Sequence, residues 1–154
     1  MKLKDSVQIW LASSLNDPVS KILAKNSHLT LIQLETFLID ALAENLAGKS
    51  LTYDEKANLR LIKAKISRGA FNRTLKQAKD NVIKSIYTVL LLGYLGVLES
   101  TALDPYLEIA NKLQDYVAAH KNLSNNEGNS ENHKKLIEMI REELETGLKT
   151  LSSP

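Results

Sequence analysis

Cysteine is absent from this chain, which removes disulfides, thiolate metal sites and thiol nucleophiles at once and fits a cytoplasmic protein. Proline occurs three times and glycine six, against an apolar share of 44%, so neither a collagen-like nor a disordered composition is present. Long hydrophobic runs are missing too. The most apolar stretch, Ile86 to Leu98, is interrupted by Tyr87, Thr88, Gly93, Tyr94 and Gly96, whereas a membrane-spanning helix needs roughly 20 apolar residues. Near the start, the run Ile9 to Ala12 is too short for the core of a signal peptide. No membrane partner is expected.

Catalytic signatures are also lacking. His28, His120 and His133 are far apart, no His-x-x-x-His or Glu-x-x-His spacing offers a helical metal pair, and no glycine-rich phosphate loop is present. Glu35, Asp40 and Glu44 share part of one helix surface, and with Leu34 and Leu38 taken as its buried side they are expected to be solvated charges rather than an acid–base pair. The expectation is a protein without catalytic residues, metal or cofactor, and not an enzyme.

One further absence carries the functional reading. From Lys56 to Lys79 there are eight basic residues (Lys56, Arg60, Lys63, Lys65, Arg68, Arg73, Lys76 and Lys79) and no acid, in a chain whose net charge is only +2. Exposed acids and bases normally intermingle on a surface selected only for solubility. A surface that meets a polyanion loses affinity with each carboxylate, so this segregation points to phosphate. The competing readings are a solvated basic face and a face that pairs with acids, either of a partner protein or of the chain's own acidic remainder.

Apolar residues recur at helical spacing almost throughout, and no stretch alternates as a strand would. An all-α multi-helix bundle is expected. The first helix, near Leu3 to Leu15, should bury Val7, Trp10, Leu11 and Leu15, and Asp17-Pro18 starts a short second one with Val19, Ile22 and Leu23 inward. The third, about Thr30 to Ala47, should turn Leu31, Leu34, Leu38, Ala41, Leu42 and Leu46 inward and stop at Gly48. Thr52 and Glu55 form a capping box that opens a fourth helix running to about Ile66, with Leu59, Ile62 and Ile66 inward.

Ser67 is a good helix N-cap, and Gly69 suits a tight turn at the start of a long fifth helix with Phe71, Leu75, Ala78, Val82, Ile86 and Val89 on one face. The apolar second half of that helix is expected to be surrounded, in the core or in a homodimer contact across 86–98. Asp104-Pro105 starts a sixth helix ending near His120, and a last amphipathic helix carries Leu136, Ile140, Leu144, Leu148 and Leu151. The expected organisation is a helical core domain over 1–121, a flexible linker over 122–132 and a C-terminal helix over 133–154, which docks on the core or pairs with a second copy.

The run Ile66-Ser-Arg-Gly-Ala-Phe-Asn-Arg-Thr-Leu-Lys-Gln-Ala-Lys resembles the recognition helix of helix-turn-helix domains similar to sigma-factor region four. The likeness covers residues 52–79, within a helix-turn-helix-like segment 52–81. It implies a DNA-contact role for Arg68, Asn72, Arg73 and Lys76. Independently of it, Gln77, Lys79, Arg60, Lys63 and Lys65 join the candidate nucleic-acid face by charge and position, since Asn and Gln match adenine and Arg matches guanine in the major groove. The expected function is therefore a small DNA-binding protein, DNA being favoured over RNA, in transcription regulation or chromosome association. The alternative is a non-enzymatic helical adaptor whose basic face grips an acidic protein.

Overall fold

In the computed structural model, the residues described are 2–62, 65–97, 104–124 and 130–152, and they form helices with no strand among them. The helices are α1 (Leu3–Asn16), α2 (Pro18–Asn26), α3 (Leu31–Ala47), α4 (Tyr53–Asn58), α5 (Arg68–Tyr94), α6 (Asp104–Ser124) and α7 (Ser130–Ser152). The fold is all-α. Its helix ends follow local chemistry: Asp17 Oδ2 accepts from the Ser20 amide at 2.8 Å with Pro18 in the first turn, and Thr30/Gln33 and Thr52/Glu55 each close a full capping box.

Gly48 ends α3 in the left-handed region, φ 64°, where any Cβ is strained. A methyl group at this position would meet nothing within 4 Å, so the strain is purely backbone. Gly48→Ala should therefore lower the unfolding free energy by about 1 kcal/mol, readable as a shifted urea midpoint at unchanged slope.

Two compact units divide the chain, Met1–Ser85 and Ile86–Pro154. In the first, Val7 and Leu11 of α1, Ile39 and Ala43 of α3, then Leu51, Ala57, Leu59, Phe71 and Leu75 make one buried cluster, with Trp10 partly buried against it. In the second, α6 and α7 pair: Ile140 and Leu144 are buried, Tyr116 donates its hydroxyl proton to Glu143, and Lys112 Nζ lies 3.1 Å from the same carboxylate. The division differs from the expected 1–121 core, because α6 finds its partner in α7. The expected linker is helical at its described ends, 122–124 and 130–132, while 125–129 lie outside the described residues.

Three expectations about individual helices need correction. The inner side of α3 carries Glu35, Thr36, Ile39 and Ala43, while Leu31, Leu42 and Leu46 are exposed. Counting leucines picked a neighbouring stripe, because the face that is buried includes a carboxylate with a cation to meet. Helix α4 stops at Asn58 instead of near Ile66; Leu59 is buried and Ile66 packs on the core, but Ile62 is exposed. The amides of Leu61 and Ile62 donate to the Glu35 carboxylate, an acceptor stronger than a helix carbonyl. The left-handed residue before α5 is Lys65, φ 58°, whereas Gly69 lies inside the helix.

The connection from α4 to α5 thus covers 59–67, longer than the three- or four-residue turn of a helix-turn-helix pair. Beyond Val82, the α5 face expected to be enclosed is open: Ile86, Tyr87, Leu90, Leu91 and Tyr94 are all exposed. Leu98 lies outside the described residues.

Candidate nucleic-acid interface

Helix α5 begins as its local sequence requires. Ser67 Oγ accepts from the Ala70 amide at 3.2 Å, and the Ser67 carbonyl accepts from Phe71 at 3.0 Å, so the first free amides have a cap. Phe71, Leu75 and Ala78 form the expected buried ridge. Asn81 Nδ2 then ties the helix to the start of α3, donating to the His28 carbonyl at 3.1 Å and to Gln33 Oε1 at 3.2 Å. This anchoring leaves Arg68, Arg73, Lys76 and Gln77 exposed and Asn72 half-buried; Lys65 is exposed just before the helix.

Three other cations of the basic run, Lys56, Arg60 and Lys79, are paired with carboxylates of α3. Arg60 is buried, donates from Nε to Glu35 Oε2 at 3.0 Å and reaches the Ile32 carbonyl at 3.4 Å, while its own carbonyl accepts from Gln8 Nε2 at 3.0 Å. Arg60 is therefore withdrawn from the candidate face. The reason is electrostatic: a guanidinium is buried only where a carboxylate meets it, and Glu35 does so here. Lys56 is likewise buried, 3.0 Å from Asp40 Oδ1 and 3.1 Å from Glu44 Oε1, with its ammonium 5.5 Å from the Tyr53 ring centroid. Lys79, half-exposed, lies 2.9 Å from Asp40 Oδ2. Lys63 falls outside the described residues.

Glu35, Asp40 and Glu44 were expected to be solvated, and this is where the sequence reading fails most. They are the counter-charges of the basic segment. Glu35 is fully buried and Asp40 mostly so. A signal was present: Glu35 sits one turn before Ile39 and two before Ala43, so a face carrying both small and branched apolar residues also carries a carboxylate that needs a cation.

Burial alone would raise the Asp40 carboxyl, but hydrogen bonds from Lys79 and Lys56 outweigh it and hold the group below its ordinary value. Burial would likewise lower the Lys56 ammonium, and its bonds to Asp40 and Glu44 reverse that, leaving it raised. A carboxyl depressed in the folded state stabilises the fold above its unfolded pKa of about 4, and that contribution is lost as pH falls through the folded value. Between about pH 5 and pH 2.5, the urea midpoint of the wild type should fall further than that of Asp40→Asn, which has no such group to protonate.

No family model, curated protein or solved structure matches the chain. Among the described residues, no group of three or more His, Cys, Asp or Glu could hold a metal, and no helix is long and apolar enough to cross a membrane. The candidate face that remains is Lys65, Arg68, Arg73 and Lys76, with Asn72 among them and Gln77 next to Lys76. None of these four cations has a carboxylate partner among the described residues.

Proposed function

We propose that this chain binds nucleic acid, DNA in the first instance, through the start of α5 and the residue that turns into it. The supporting observation is the sorting of the basic run into two sets. Three cations, Lys56, Arg60 and Lys79, are matched to carboxylates of α3, while Lys65, Arg68, Arg73 and Lys76 stay exposed and unmatched on one short stretch. Interior pairing accounts for the first set. It does not account for the second, and a phosphate backbone does, since each cation that replaces condensed counterions adds to affinity.

In this reading Arg68, Arg73, Lys76 and Lys65 neutralise phosphates, and Gln77 and Asn72 supply amide groups for base edges. A role in transcription regulation or chromosome association is the corresponding biology. A homodimer contact through the exposed apolar face of α5, around Tyr87, Leu91 and Tyr94, or through α7, belongs to the same reading, since it would present two basic faces at a fixed spacing. The test is a salt titration of binding to duplex DNA. Four neutralised phosphates correspond to a log–log slope of about −3.6, and a slope near zero would reject the assignment.

One observation favours a second reading, that of an adaptor for an acidic protein: the basic segment already fits a carboxylate-bearing helix, its own α3. Affinity capture with and without nuclease separates the two. An acidic protein retained after nuclease treatment supports the adaptor, and loss of all bound material supports nucleic acid.

A further inference from the structure

Next to the exposed cations, α4 and α5 border a groove of about 330 Å³ lined by Tyr53, Asn72, Leu75, Lys76, Lys79 and Asp80. Its composition is mixed in an ordered way. Leu75 is buried and Tyr53 leans on Phe71, ring centroids 6.5 Å apart and planes at 44°, yet 40% of Tyr53 stays exposed. Aromatic and aliphatic surface thus lies beside polar groups. Among these, Asn72 is anomalous: its Oδ1 is buried and has no hydrogen-bond partner. Buried amide oxygens nearly always find a donor, so an orphan at the edge of a groove marks a bond left open for a ligand.

Resting on the nucleic-acid reading above, we infer that this groove receives one unpaired adenine base of a single strand. The shape and chemistry of each lining group fit that occupant. Tyr53 offers a ring on which a base can stack. No hydrogen bond holds Asn72 Oδ1 in place, so a side-chain rotation that carries the amide out into the groove breaks none at that oxygen. The amide can then meet the adjacent donor and acceptor of an adenine edge, a pairing that a lone phosphate cannot make.

Asp80 points the same way. Its carboxylate, exposed in the groove wall, repels a phosphate but accepts readily from the second hydrogen of an exocyclic amino group. Lys79 is held by Asp40, which leaves Lys76 as the exposed cation to take the phosphate of the inserted nucleotide. The groove therefore recognises the base, and the neighbouring cations recognise the strand. A base reaches such a groove only when it is unstacked, which selects single strands, loops or ends over an intact duplex.

The experiment is fluorescence anisotropy on the full chain with labelled oligodeoxyadenylate, with oligodeoxyinosinate, in which a carbonyl replaces the 6-amino group, and with a mixed-sequence duplex. Oligodeoxyadenylate should bind roughly tenfold tighter than oligodeoxyinosinate, the discrimination expected of one amide–base pair. In Asn72→Leu that gap should close. Equal binding of the two single strands by the wild type overturns the groove assignment and leaves the nucleic-acid reading standing. Absence of binding to all three probes rejects that reading and the groove with it. Because the two single strands are compared on the wild-type protein, the result does not depend on Asn72→Leu folding.

Discussion

Glu35→Ala should destabilise the protein by about 3–5 kcal/mol, a large part of the roughly 5–15 kcal/mol that holds a typical domain together. The carboxylate and the Arg60 guanidinium it meets are 0% and 1% exposed, so removing one strands the other as an uncompensated buried charge. Two further donors lose their acceptor in the same substitution, the amides of Leu61 and Ile62, the latter at 2.9 Å. Those amides also explain why Glu35→Leu with Arg60→Met should recover only part of the loss. Replacing a buried ion pair by apolar groups is often neutral, but here the backbone of the loop hangs from the carboxylate as well. Urea unfolding of the three proteins measures this directly. A cost below about 1 kcal/mol for Glu35→Ala would mean that the pair contributes no more than a surface one.

Arg73→Ala with Lys76→Ala should leave stability almost untouched and collapse binding. Both side chains are exposed and have no partner among the described residues, so nothing in the fold is released when they are shortened. Removing two of four phosphate contacts should bring the log–log salt slope from about −3.6 to about −1.8, which at 0.1 M salt corresponds to roughly 60-fold weaker binding. A folded double variant with unchanged DNA affinity would reject the proposed face. The two predictions are complementary, since one set of charges serves folding and the other does not.

Helix boundaries were legible wherever a local rule decides them. Thr52 with Glu55, Asp17 with Pro18, Ser67 before α5 and Gly48 after α3 each satisfy orphan amides or permit a backbone angle within a few residues, and all are found as expected. The ridge of Phe71, Leu75 and Ala78 was equally plain, because helical periodicity and apolar character agree there. What was not legible depended on partners distant in sequence. Arg60 reads as a surface residue until Glu35, 25 positions earlier, is known to face it. The end of α4 at Asn58 has the same origin, since a carboxylate on another helix captures the amides that would have continued the turn. The open face of α5 is the opposite case: a run of apolar residues signals a wish for burial, and says nothing of whether the same chain supplies the cover.

Asp40 holds Lys56 with one carboxylate oxygen and Lys79 with the other. A single side chain therefore ties two cations of the basic segment to α3. Neutralising it would set a second ammonium group free beside Lys76 while loosening the junction of α3 with α4. Asp40→Asn would thus gain a free ammonium at the expense of robustness to heat, and its remaining stability would vary less with acid.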